Sequence, residues 1–151
     1  MSTVLYSDTD WLTSEEAFSI YAPCMYQPTN EDYKALMEKY LSDPSVKIFV
    51  CDMDGEKAGI LVLKEIEAAE GSETEPEAEI LGIAVKKDLR KKGIGREMIY
   101  QAMETEHLKK ITAQTDDDAI GFYRKSGFEA ERVVVEYPNG YVVRYNCTRR
   151  K

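Results

Sequence analysis

The sequence predicts an α/β (α+β) domain of seven strands and four helices in the order βααβββαβαββ. Three observations predict it: apolar, β-branched runs of strand length, apolar residues at helical spacing in two other segments, and turn signals joining neighbouring runs. With 151 residues, 43% of them hydrophobic and 32% charged, the chain is long enough for one core, and residues 1–151 are read as a single domain.

Thr3–Tyr6 is a short β-prone stretch. Ser14-Glu15-Glu16 opens a helix that Pro23 ends. Asn30 is expected to cap a second helix running to Leu41, with Tyr33, Leu36, Met37 and Tyr40 on one face. Val46–Met53 and Lys57–Lys64 form a hairpin across Asp54-Gly55, because that dipeptide accepts the positive φ angles of a tight turn. Residues 65–78 are read as an acidic loop, too rich in glutamate and too poor in apolar residues to pack. Glu79–Val85 reads as a buried strand and Lys86–Arg96 as a basic, glycine-containing connection. The helix that follows runs to about Glu106, with Ile94, Met98 and Ala102 four apart and Ile99 and Met103 alongside. Lys110–Thr115 is a strand, and Asp118–Lys125 a short helix that Gly127 stops. Phe128–Tyr137 and Tyr141–Cys147 close the chain as a hairpin about Pro138-Asn139-Gly140.

Charge bounds the function. The net charge is -8, which argues against a nucleic-acid partner. Residues 1–80 carry 5 Lys+Arg against 18 Asp+Glu, whereas residues 81–151 carry 15 against 10, so one half suits a cation and the other an anion. Cys24, Cys51 and Cys147 include no CxxC pair, and His107 is the sole imidazole, so neither a zinc site nor a disulfide framework is expected. No apolar run approaches the ~18 residues of a membrane span, and the N-terminal region is acidic. The expectation is a cytoplasmic protein with no membrane partner and no metal.

Two segments carry chemistry. Arg90-Lys91-Lys92-Gly93-Ile94-Gly95-Arg96 lies between a strand and an amphipathic helix, where peptide N–H groups and the positive end of the helix dipole make an anion site. Glycines at 93 and 95 let backbone approach a diphosphate closely, and Lys86 and Lys87 add charge. The segment has neither the GxxxxGK[ST] of a P-loop nor the three glycines of a dinucleotide fingerprint. A plain basic turn is the alternative. The second segment is Asp116–Phe128, in which the aspartates are read as a cap rather than metal ligands. Ile120 and Tyr123 share a helix face, as core residues or with the Tyr123 hydroxyl as a proton source.

Together, residues 79–128 resemble the GNAT superfamily of acyl-CoA-dependent N-acyltransferases. The family's pyrophosphate loop, R/Q-x-x-G-x-G/A, is met by Arg90–Gly95, and its N-x-x-A-x-x-x-Y-x-x-x-G-F motif by Ala119, Tyr123, Gly127 and Phe128, with Asp116 where Asn is usual. The resemblance implies a mixed, mostly antiparallel central sheet flanked by helices. It also implies acetyl-CoA as co-substrate, bound in a V-shaped opening between the strands of residues 79–85 and 110–115. By the same carry-over Ile83, Ala84 and Val85 would meet the pantetheine, and Arg90, Lys91, Lys92, Gly93, Ile94, Gly95 and Arg96 the pyrophosphate. Asp116 and Ala119 would line the cofactor. Tyr123 would protonate the departing thiolate, and Glu79 stands where some members place a general base for the incoming ammonium. A carboxylate at 116 accepts but does not donate a hydrogen bond. Cys147 is read as core rather than as an acyl-enzyme nucleophile.

The acceptor would be a small-molecule or peptide amine, and the acidic half favours a cationic one. Trp11, Tyr21, Tyr26, Tyr33 and Tyr40 line an aromatic pocket, fill the core or form a homodimer surface. The rival readings are a CoA-binding module without turnover and an acidic interaction protein.

Overall fold

Both faces of the central strands are apolar, and the fold covers both. The computed structural model describes residues 1–67 and 75–151. In β2 (Val46–Met53) and β3 (Glu56–Ile66), alternate residues point to opposite sides. Ile48, Val50, Ile60 and Val62 pack with Leu12, Ile20, Tyr21, Tyr33 and Met37 on one face, while Phe49, Cys51, Leu61 and Leu63 pack with Met98, Ile99 and Ala102 on the other.

The first face is built by α1 (Thr9–Leu12), α2 (Glu15–Tyr21) and α3 (Asn30–Ser42). The second is built by α4 (Ile94–Thr105) and α5 (Ile120–Lys125). Between them lies a seven-stranded sheet in the order β1-β2-β3-β4-β5-β7-β6, where β1 is Ser2–Leu5, β4 Glu77–Val85, β5 Lys110–Thr115, β6 Glu129–Tyr137 and β7 Gly140–Arg150. Among the described residues only β4 and β5 pair in parallel. The expected α/β (α+β) architecture and the order of the strands along the chain stand, with five α-helices rather than four among the described residues. The extra one, α1, is a single turn capped by the Asp8 side chain on the amides of Asp10 and Trp11, too short to show a period.

Local signals decide most boundaries. Asp54 and Gly55 have φ of 52° and 81°, which makes the expected two-residue hairpin of mirror-image type. Ser14 caps α2 through a bond from the Ala17 amide. Asn30 does not cap α3. Thr29 does, its hydroxyl accepting from the Asp32 amide while the Asp32 carboxylate accepts from the Thr29 amide, a reciprocal box that leaves Asn30 as the first helical residue. The helix expected from Asp118 begins at Ile120, because the Asp116 carboxylate takes the amides of Asp118 and Ala119 into a turn first.

The acidic loop is narrower than expected. Residues 65 and 66 still belong to β3 and residues 77 and 78 to β4, held by Glu65↔Ala78 and Ile66↔Glu77 pairing, and residues 68–74 lie outside the described part. Within β4 only Ala78, Ile80 and Ala84 are buried, so it is not the fully buried strand the sequence suggests. The reason lies in its neighbour: β5 accompanies β4 only from Glu77↔Lys110 to Glu79↔Thr112.

Candidate functional site

Beyond Glu79 the two parallel strands diverge, and the edge of β4 that faces β5 has no strand beside it. The register with β3 fixes which groups look into that opening. Lys86 donates its amide to the Ala58 carbonyl at 2.8 Å, so by antiparallel alternation Ala84 and Gly82 bond to Ile60 and Val62. The amides and carbonyls of Ile83 and Val85 therefore point the other way, toward β5. Side chains reach both carbonyls from that side: Cys24 Sγ donates to Ile83 O at 3.2 Å and Arg90 Nε to Val85 O at 3.0 Å. Ala84 directs its backbone to β3 and its methyl to the α2 and α3 face.

A bulge shapes this edge. Val62 pairs with Gly82 and Leu63 with Ile80, so Leu81 is the extra residue. A Cβ at Gly82 would run into the Tyr21 hydroxyl, which lies against the strand here. Burial pushes the Tyr21 phenol far above its ordinary value, and the neighbouring Cys24 and Tyr40 raise it further.

The connection after β4 leads to the N-terminus of α4. Gly93, at φ 80°, occupies the left-handed conformation just before the helix, and no side chain caps the helix amides. Lys91, Lys92 and Arg96 are exposed around this end, whereas Lys86 is paired with Glu56. Gly95 also has a packing reason to be glycine. Its Cβ would fall 2.8 Å from Phe122 Cε1, so glycine here lets α4 approach the Phe122 ring.

Tyr123 lies on α5, buried, with its ring edge-to-face to Phe122 at 5.1 Å and to Phe128 at 5.2 Å. Burial holds its phenol above the ordinary value, with the Cys24 and Cys147 thiols adding to the rise, so it stays protonated well into the alkaline range. Glu79 is half-buried at the last parallel pair, where the strands part. Because Ala78 and Ile80 face α4, alternation directs Glu79 to the α2 and α3 side, the opposite face from Tyr123.

The profile of the Acetyltransferase (GNAT) family matches residues 14–128. The chain belongs to this family. Solved GNAT structures share its fold. A GNAT-family protein from Desulfovibrio desulfuricans aligns with a TM-score of 0.73 at 16% identity, over 99% of this chain and 98% of that one. A spermidine N-acetyltransferase from Vibrio cholerae aligns at 0.67 and 17% identity, over 99% and 95%. A GNAT acetyltransferase from Elizabethkingia anophelis, solved with acetyl-CoA bound, aligns at 0.63 and 16%, over 99% and 97%. No curated protein matches the sequence.

On this GNAT frame Asp116 and Asp117 make hydrogen bonds within the fold. Asp116 holds its turn, and Asp117 accepts from the Tyr145 hydroxyl at 2.6 Å while the Arg124 guanidinium lies over the Tyr145 ring. Ala119 is half-buried against the α4 face. Cys147 is buried in the core. Among the described residues no helix is long and apolar enough to cross a membrane, and no three His, Cys, Asp or Glu side chains form a metal-holding group. Sequence reasoning missed Tyr21 and Cys24 as neighbours of β4. Gly82, a glycine inside an apolar strand, was the available sign of a bulge or a close approach.

Proposed function

We propose that the protein is an N-acetyltransferase that moves the acetyl group of acetyl-CoA to a primary amine by direct attack in a ternary complex. One observation carries the reading: the β4 edge bearing the Ile83 and Val85 peptide groups is left without a strand, and it leads to an α4 N-terminus that no side chain caps. These features fit the two ends of the cofactor. The opening offers peptide donors and acceptors to an amide-bearing arm, and the α4 amides with Lys91, Lys92 and Arg96 suit a diphosphate.

Acetyl-CoA, when bound, supplies the acyl group as a thioester. Ile83 and Val85 orient the arm, while Gly93 and the amides of Ile94, Gly95 and Arg96 hold the diphosphate, with Arg90 bracing β4. Tyr123 keeps a proton on its hydroxyl for the departing thiolate. Glu79 takes the proton that an ammonium must lose before it attacks, directly or through water. Their placement on opposite faces suits two proton transfers made from two sides of one opening. Asp116 and Ala119 line the start of α5 beside the cofactor.

The acceptor we infer is cationic, since the N-terminal half is strongly acidic and the Vibrio cholerae neighbour is a spermidine N-acetyltransferase. Three unpaired cysteines suit a reducing cytoplasm. The test is release of free CoA from acetyl-CoA across a panel of polyamines, amino sugars and lysine peptides. Amine-dependent release supports the reading, and binding of acetyl-CoA with no turnover on any amine overturns it in favour of a binding module.

A further inference from the structure

The β4 edge that would hold the cofactor already carries two hydrogen bonds from the chain itself. Ile83 O accepts from Cys24 Sγ at 3.2 Å and Val85 O from Arg90 Nε at 3.0 Å, and these are the carbonyls that β3 leaves free. We infer that Cys24 is a displaceable plug: its thiol occupies the Ile83 carbonyl, and the amide-bearing arm of an acyl-CoA must dislodge it to bind. The inference rests on the acetyltransferase reading and adds a residue that sets cofactor affinity.

The placement of Cys24 is held from two directions. It ends the tight turn Ala22–Cys24, closed by the Met25 amide on the Ala22 carbonyl, and it follows Tyr21, whose buried phenol lies on Gly82 of the same strand. Cys24 and Ile83 are 59 residues apart in sequence, so their contact is a tertiary one. The thiol must be protonated to donate, and burial pushes it up to about 11, which keeps the proton in place at neutral pH. An S–H is a weak donor, so an amide N–H displaces it, and the exchange still lowers affinity relative to a bare carbonyl.

The experiment is calorimetric titration of acetyl-CoA into wild type, Cys24→Ala and Cys24→Ser, with melting temperatures recorded for each. Cys24→Ala removes the donor, and its Kd is expected to fall about two- to fivefold, while Cys24→Ser keeps a donor and stays within about twofold of wild type. A second measurement needs no substitution. Prolonged iodoacetamide treatment at about pH 9, where a small fraction of the Cys24 thiol is ionised, should modify Cys24 first, because its residue is exposed while Cys51 and Cys147 are buried, and the adduct on the plug should weaken acetyl-CoA binding at least tenfold. Cys24→Ala protein treated the same way should be unaffected. Equal Kd values for the three proteins, or an alkylated wild type that binds like the untreated one, overturn the plug while leaving the acetyltransferase reading intact. A wild type that does not bind acetyl-CoA overturns both.

Discussion

Substituting alanine at Gly95 should destabilise the protein through Phe122 and not through any ligand. The added Cβ would meet Phe122 Cε1 at 2.8 Å and Cζ at 3.0 Å, whereas ordinary contact begins at 3.4 Å, so ring or helix must give by several tenths of an ångström. The half-buried ring is also packed edge-to-face with Tyr123, 5.1 Å between centroids, which limits how far it can turn away. Overpacking of this kind costs about 1–3 kcal/mol, against a gain of up to about 1 kcal/mol from replacing glycine in a helix. We therefore expect Gly95→Ala to lose about 1–2 kcal/mol by urea unfolding. In a Phe122→Leu background the ring edge is gone, and the same change should be neutral or stabilising. The coupling between the two sites should then be at least about 1 kcal/mol. Additivity within about 0.5 kcal/mol would refute the argument that Phe122 dictates the glycine.

Tyr123→Phe should lower kcat by roughly 10²–10⁴ with acetyl-CoA affinity unchanged within twofold, as steady-state kinetics and calorimetry would read. Because burial raises the Tyr123 phenol above its ordinary value, wild-type kcat should show no loss from its ionisation up to pH about 10. Hydrogen bonds from Thr29, its backbone amide first, hold the Asp32 carboxyl below the usual range, so its contribution is complete above the unfolded value of about 4 and is lost as pH falls through the lowered one. Acid unfolding followed by circular dichroism should accordingly be less steep in Asp32→Asn than in wild type. Neutralising Glu70, Glu73 and Glu75 to Gln should raise KM for a polycationic amine without changing kcat, an effect that added salt should mimic; an unchanged KM would assign that acidity to solubility.

What was legible in the sequence was what is local. Asp54-Gly55 announced its hairpin, and the spacing of Ile94, Met98 and Ala102 announced α4. The cap of α3 was misread by one position although Thr29 and Asp32 stand at capping-box spacing, because Asn30 is itself a good cap. The start of α5 slipped for a related reason: Asp116 bonds the amides two and three residues ahead and delays the helix. Contacts between distant segments were out of reach. Gly82 signals a bulge or a close approach, but nothing in residues 77–95 says that β5 leaves after Glu79, that it is Tyr21 that lies on Gly82, or that Gly95 answers to Phe122. The motifs picked out the candidate site, and its three-dimensional neighbours came only with the fold.

The central claim is that the open β4 edge and the α4 N-terminus hold acetyl-CoA, and amide chemical-shift mapping on titration of the cofactor tests it most directly. The account predicts that the largest shifts fall on Ile83, Val85, Ile94, Gly95 and Arg96, with smaller ones on α5 around Tyr123. Saturable shifts confined to the outer strands β1 and β2 or to the β6–β7 hairpin, or no shifts at millimolar cofactor, would contradict it.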